Sequence, residues 1–408
     1  MQLIPTVVRL ILAGARLILA VVRLIPVVVR PADQPNRLAL EKQVAKNSMT
    51  QPAALTGPKR GVMHVERRYP FLAFFLLMPL VALPSCAPAT DPPADDAGEE
   101  AVAEFPQLNG PYLGQDPPGM VPELFAPGIV STAGGEWSST FTPDGKTFLF
   151  GYLGEPHGIL IMEEVDGQWT EPRLAPFSSE FRDFDLNLSP DGSMLYFTST
   201  RPGVAGDLED AGSDLWVVGR GEAGWGEVMN LGELVNTPGS ELYPSVTDEG
   251  TLYFFGDARG GAEARGAYVA RLVGGSYAEP ELLGEAINTE HGMFDPFIAA
   301  DESYIIFASD RPGGLGDGDL YISFRRDDGT WGEATNLGPT INSPQTDFCP
   351  SVTKDGKYLF FSSRRPYEGT YPKIALSYRN ELEVEAENPG RNVDIYWVDA
   401  RVIEQYRQ

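Results

Sequence analysis

Residues 189–203 read Ser-Pro-Asp-Gly-Ser-Met-Leu-Tyr-Phe-Thr-Ser-Thr-Arg-Pro-Gly. Proline second and glycine fourth in Ser189–Gly192 supply the backbone angles of a tight turn. The apolar, aromatic run that follows is a short strand, and Arg201-Pro202-Gly203 ends it. The stretch recurs. Thr142–Gly145 leads into FLFGY, Asp248–Gly250 into LYFFG, Asp301–Ser303 into YIIFAS and Lys354–Gly356 into YLFFSS, at intervals of 47 to 58 residues.

Further features keep the same phase. The loops TSTRPG, GDARGG, ASDRPGG and SSRRP precede third strands in DLWVV, AYVAR, DLYIS and DIYWV. A second turn then reaches an aromatic residue and a glutamate (GQWTEP, GWGE, GSYAEP, GTWGE) and a fourth strand ending in an IN or VN corner. Four short antiparallel strands per unit, with no helical period, predict an all-β chain, a β-propeller of four-stranded blades. Five copies predict five blades, with six as the alternative. The last unit stops at its third strand, near DIYWV. Ahead of the first unit, VPELFAPGIVS repeats between Glu123 and Ile129 the interval from Glu171 to Phe177. This N-terminal strand is expected to complete the last blade, closing the ring and hiding its open edges.

The Ser-Pro-Asp-Gly hairpin, the aromatic strand, the S-x-R-P-G loop and D-L-Y/W together resemble the PD-type, WD-repeat-like propeller repeats of TolB. Related repeats occur in the propeller domains of prolyl-oligopeptidase-type peptidases. The resemblance covers about residues 120–403 and implies the fold; propellers host unrelated activities, so it implies no particular function. It does not extend to the additional N-terminal α/β domain of TolB, nor to a peptidase domain. The Pal-binding role of TolB is therefore not carried over.

Charge divides the chain. Residues 1–86 hold 11 of the 31 Lys/Arg and 3 of the 57 Asp/Glu, and the remainder is strongly acidic. A net charge of −26 argues against nucleic acid or an anionic membrane face as a partner. A basic front ahead of an acidic body is the pattern of an exported protein. Within residues 63–86, Arg67 and Arg68 precede the apolar run Phe71–Leu83, and Leu83-Pro84-Ser85-Cys86 resembles a bacterial lipobox. By that resemblance Cys86 becomes the acylated N-terminus, and Ala87 after it implies the outer membrane. Residues 1–62, with arginines at 9, 16, 23 and 30, are expected to be an upstream extension ahead of a true start at Met63. Residues 87–119 are expected to form an acidic, Pro-rich disordered tether, 120–403 the propeller and 404–408 a tail.

Several motifs imitate chemistry. Gly219–Gly224 matches G-x-G-x-x-G, yet it joins two strands instead of opening a helix, so it is a hairpin turn. Gly313–Asp319 is similar to a calcium β-roll repeat and makes Asp317 and Asp319 candidates for a loop-bound calcium, the one cofactor considered. No G-x-S-x-G elbow is present, and His157 and His291 lie in different units. Cys349 is expected to be a buried, inert thiol. Trp169, Trp225, Tyr277 and Trp331 hold one position in four units and are expected to wedge blade on blade.

One constellation remains. Glu136, Asp183, Glu241 and Asp347 open the innermost strands; the fourth copy has Met293 there, with Asp295 two residues on, and Asp185 repeats that offset in the second. Arg201, Arg259, Arg311 and Arg364 lie on loops emerging at the same end. Carboxylates converging on a channel mouth need compensation. The arginines would supply it blade by blade, with Asp214, Asp319 and Asp394 completing hydrogen-bond networks, or a calcium ion or cationic peptide would. The expected function is that of a monomeric, lipid-tethered envelope protein, non-enzymatic, binding a peptide, protein or glycan at this mouth. The alternative is a carbohydrate-active enzyme, a glycosidase or lyase, using paired carboxylates.

Overall fold

The computed structural model describes residues 102–407 apart from 155–156, 179, 204–211, 258–264 and 379–392. The expected upstream extension, the expected signal segment with Cys86, and Arg259 lie outside the described residues.

The described chain forms a five-bladed β-propeller. Counting from the axis outward, the first blade is Glu136–Phe141, Thr147–Tyr152, Gly158–Val165 and Arg173–Leu174, with Gln168–Trp169 as an added hairpin arm on the third strand. The second is Asp183–Leu188, Met194–Ser199, Asp214–Gly221 and Gly224–Asn230. The third is Ser240–Val246, Leu252–Asp257, Gly266–Ala270 and Glu281–Leu282, and the fourth Met293–Ile298, Tyr304–Ser309, Asp319–Phe324 and Thr335–Asn336. The fifth takes Asp347–Val352, Tyr358–Ser363 and Asp394–Asp399 from the C-terminal part and its outer strand, Glu123–Leu124, from the N-terminal part. Glu123 pairs with Trp397 and Leu124 with Tyr396, which is the expected closure. Gly221 pairs with Gly224, so the G-x-G-x-x-G motif is a hairpin turn.

The repeated turns set the blades. Gly145, Gly192, Gly250 and Gly356 adopt φ of 68 to 78° at the hairpins. Glu302 fills that place in the fourth blade at φ 59°, where an L-residue carries strain that glycine would not. Apolar residues then pack between neighbouring blades. One cluster joins Leu149 and Ile159 to Leu188 and Phe197, the next Tyr196 and Val217 to Phe254 and Tyr268, and a third Tyr253 and Phe255 to Phe307. A fourth joins Ile306 and Ile322 to Leu359 and Tyr396. The fifth is built on Phe125, which is fully buried against Phe141, Phe148, Phe360 and Trp397. The aromatic wedges behave as expected: Tyr277 donates to Tyr196 of the preceding blade at 3.2 Å, Trp331 packs edge-on against Tyr253, and Trp225 against Phe177.

The tether expectation needs correction over 102–119. Ala103 forms a bridge with Ile374, Gly110 accepts from the Trp169 indole, and Leu113 is fully buried. Prolines continue to Pro118, but Phe105, Leu108, Tyr112 and Leu113 among them have apolar surface to bury. At the other end Val402 and Ile403 are buried, and Tyr406 of the expected tail donates to the Leu337 carbonyl at 2.6 Å.

Candidate functional site at the ring axis

Four of the expected mouth carboxylates stand at the start of inner strands, but none of the four is open to the channel. Glu136, Asp183, Glu241 and Asp347 are at most 1% exposed. Glu136 accepts the N–H and hydroxyl of Thr132, four residues earlier, and Glu241 those of Thr237 at 3.0 and 2.6 Å. Asp347 accepts the Ser343 N–H and the Ser363 hydroxyl, and Asp183 the hydroxyls of Ser178 and Ser199 at 2.8 and 2.7 Å. The acids thus brace the corner between one blade and the next.

Arginines complete two of these braces. Arg201 contacts Asp183 at 2.6 Å, and Arg365 contacts Asp347 at 2.7 Å. The fifth-blade arginine is therefore Arg365 and not Arg364. The loop repeats as Ser-x-Arg-Pro, and only Arg365 places its N–H on the Ser363 hydroxyl as Arg201 does on Ser199. Arg364 instead lies over the Phe348 ring. In the fourth blade Met293 is buried where the acid would be, and Arg311 has no carboxylate partner among the described residues.

Asp295 does not stand in for that missing acid. A β-bulge falls in every inner strand, at Ser138, Asp185, Tyr243, Asp295 and Cys349, all with φ between 44 and 53°. The bulge breaks the two-residue alternation, so Asp183 and Asp185 do not share one environment. These five residues face the axis. Leu186 N–H donates to the Ser138 hydroxyl at 3.0 Å, the Tyr243 N–H to Asp185, and the Cys349 N–H to Asp295 at 3.1 Å. Ser245 and Ser351 supply the two remaining links, to Ile298 N and Ser139 O. Each neighbouring pair of inner strands is thereby tied by a side chain. Left-handed residues other than glycine cost of order 1 kcal/mol each and persist only when the surroundings determine them.

At the axis, the Cys349 Sγ lies 3.3 Å from an Asp295 oxygen and 4.0 Å from an Asp185 oxygen. Tyr243 crosses the ring to donate to the Pro350 carbonyl at 2.8 Å. Burial pushes both carboxyls up, Asp295 to about 6, and the neighbouring Asp295 charge raises Asp185 further. Burial and then the two carboxylates push the Cys349 thiol up, so it is a hydrogen-bond donor and a poor nucleophile. The thiol is buried, as expected, and its neighbours are polar. Sequence reasoning missed Ser138 and Tyr243. For Tyr243 the available signal was the proline after the bulge, repeated as Pro244, Pro296 and Pro350 in three blades, since proline inside a strand marks such a site; Ser138 is followed by Ser139 and carries no such mark.

Nearer the hairpin-turn end, Lys354 of the fifth blade reaches the second, donating to Leu188 O at 2.7 Å and Asn187 Oδ1 at 3.1 Å. Its burial lowers the ammonium to about 8. In the candidate calcium loop the charge of Asp319 is committed. Asp319 accepts from Leu315 N, Gly316 N and the Asn336 amide at 2.7 to 3.0 Å, and Asp317 is exposed. Among the described residues no group of three or more His, Cys, Asp or Glu side chains is placed to hold a metal ion. Asp214 accepts from Asn230 as Asp319 does from Asn336, whereas Asp394 accepts from Tyr371 at 2.7 Å and keeps a buried oxygen without a partner.

No protein-family model and no curated protein matches the chain. Solved structures do. The putative TolB from Agrobacterium tumefaciens matches at 18% identity over 56% of this chain and 70% of its own, with a TM-score of 0.37. TolB from Acinetobacter baumannii matches at 15% identity over 65% of this chain, with a TM-score of 0.38, and the match spans 57% of that protein's length. A thermostable family-43 glycoside hydrolase matches at 14% identity over 67% of this chain and 92% of its own, with a TM-score of 0.43. At these identities the likeness is one of fold alone.

Proposed function

We propose that the chain is a non-enzymatic binding or scaffold protein of the bacterial cell envelope, a TolB-like ring that takes a peptide, protein or glycan at the axial mouth. The observation that favours this reading over an enzyme is where the acids are used. Glu136, Asp183, Glu241 and Asp347 are buried and bonded within the ring, whereas a hydrolase needs carboxyls free to meet a substrate. The basic leader and the lipobox-like Leu83–Cys86 support a lipid tether, and the acidic body supports partners other than nucleic acid.

A second reading, a carbohydrate-active enzyme, rests on one observation, the Asp185–Asp295 pair. Two neighbouring carboxyls with raised pKa values are how one fold provides an acid and a base near neutral pH. Incubating the chain from Ala87 onward with a panel of neutral and acidic oligosaccharides separates the two. The binding reading expects no turnover. Product release abolished by Asp185→Asn or Asp295→Asn would replace it with the enzyme reading.

A further inference from the structure

In the second and fifth blades the loop arginine makes the same three contacts. Arg201 reaches the Asp183 carboxylate, the Ser199 hydroxyl and the Phe177 carbonyl; Arg365 reaches Asp347, Ser363 and the Ile341 carbonyl. The fourth blade retains only the last. Arg311 donates to the Ile287 carbonyl, but Met293 replaces the aspartate, and the Ser309 hydroxyl is turned to Gly292 O at 2.6 Å. The Arg311 Nε is buried with no partner, and the guanidinium lies over Phe307 and Tyr321 at 4.8 and 5.4 Å. A buried donor left unpaired is unfavourable, more so on a charged group. This arginine also lines a cavity of about 520 Å³ between the third and fourth blades, with Ala286, Thr289, His291, Tyr321 and Trp331. No residue of the axial cluster lines it.

We propose that this cleft binds a carboxylate-bearing ligand, whose carboxylate pairs with the Arg311 guanidinium from the cleft side, as Asp183 and Asp347 pair with its counterparts from within the sister blades. The chain supplies its own template for the anion. With one nitrogen held by a backbone carbonyl, the same arginine accommodates a carboxylate twice elsewhere in the ring. Fork-to-carboxylate pairing is the strong, directional form of this contact. Trp331 and Tyr321 add aromatic atoms to the wall of the cleft, and Thr289 and His291 add polar groups. Glu285 and Glu333 also line the cleft, but both are exposed and solvent-screened, and Arg326 beside them opposes their charge. A peptide C-terminus and a uronic acid share this chemistry.

Calorimetric titration of the chain from Ala87 onward tests the proposal. The probes are an acetylated tripeptide with a free or amidated C-terminus, and digalacturonate against the uncharged galactose disaccharide. The expected result is binding by at least one acid, weakened about 10- to 100-fold when its carboxylate is neutralised. Met293→Asp rebuilds the sister-blade pair and should abolish that binding while holding or raising the melting temperature. Arg311→Gln keeps a donor for Ile287 and removes the charge, so it guards against a misfolded Met293→Asp. The acid that binds identifies the source of the carboxylate. Equal affinity for charged and neutral probes, unchanged affinity in both variants, or no binding of either acid to folded protein at millimolar concentration would overturn the proposal.

Discussion

Asp295 holds Cys349 twice, accepting its backbone N–H at 3.1 Å and lying 3.3 Å from its sulfur. One carboxylate thus ties the inner strand of the fourth blade to that of the fifth, and Asp185 closes in on the same sulfur from the second. The axis of this ring is a polar, hydrogen-bonded plug, built where each inner strand bulges.

The first prediction concerns pH. Asp295 is raised in the folded state, so its favourable contribution is complete below the ordinary aspartate pKa and is lost as pH rises through about 6. Asp295→Asn keeps an acceptor for the Cys349 N–H and removes the titration. Urea denaturation should find the variant about 1–3 kcal/mol more stable than wild type at pH 8, and the difference should vanish near pH 4. A pH-independent difference would mean that the carboxyl is not held neutral at the axis.

Asp394 gives a second such test away from the axis. Burial raises it to about 7, opposed by the Tyr371 hydroxyl, and one of its oxygens has no partner. Its stabilising effect therefore fades from about pH 4 to above 7. Asp394→Asn should raise the melting temperature at pH 8 and leave it nearly unchanged at pH 4.5. Tyr371→Phe should do the reverse at pH 8, because it strips the ionised form of its donor.

Breaking a buried ion pair from one side leaves the other charge stranded, at about 3–5 kcal/mol. Arg365→Gln should approach that cost, since Asp347 is fully buried. Arg364→Gln should stay within about 0.5 kcal/mol, as surface substitutions do. Equal midpoints in chemical denaturation would show that the Ser-x-Arg register has been assigned wrongly.

Ring closure can be weighed at one side chain. Phe125, next to the closing strand, packs against four aromatic rings and has no exposed surface. Phe125→Ala should cost about 3–5 kcal/mol. Deleting residues through Ser131 should go further and abolish a single cooperative transition, because the edge of the fifth blade is then unpaired. A cooperative melt retained after that deletion would contradict closure by the N-terminal strand.

The lipid assignment is tested by metabolic labelling with a fatty-acid analogue. The wild-type chain should be tagged and Cys86→Ser should not; equal labelling of the two would remove the anchor from the proposed function.

The repeat made the architecture legible before any coordinates. Turn chemistry at Thr142–Gly145 and Ser189–Gly192 is local, so tight-turn residues ahead of an aromatic run specify a hairpin wherever they occur. Counting those hairpins gives the blades, and the odd strand left at Glu123 can only complete the last one. The carboxylates were legible as positions but not as roles. Glu136 and Glu241 stand where the alternation places them, yet their bonds to Thr132 and Thr237 show that they brace corners. Arg364 and Arg365 are adjacent and carry the same charge, so only the Ser-x-Arg-Pro register of the loop distinguishes them.

By itself the sequence determined the class, the blade count and the closing strand, because these follow from turn geometry and side-chain period over a few residues. Only the tertiary structure decided what meets at the axis. Ser138, Asp185, Tyr243, Asp295 and Cys349 share no chemical type, so their common left-handed backbone leaves little trace in composition. They meet because five bulged strands converge, and each bulge is held by hydrogen bonds from a neighbouring blade. For Arg311 the two levels share the answer: Met293 in place of the acid is legible in the repeat, but the turn of the Ser309 hydroxyl to Gly292 and the unpartnered Nε are set by the packing of the blade.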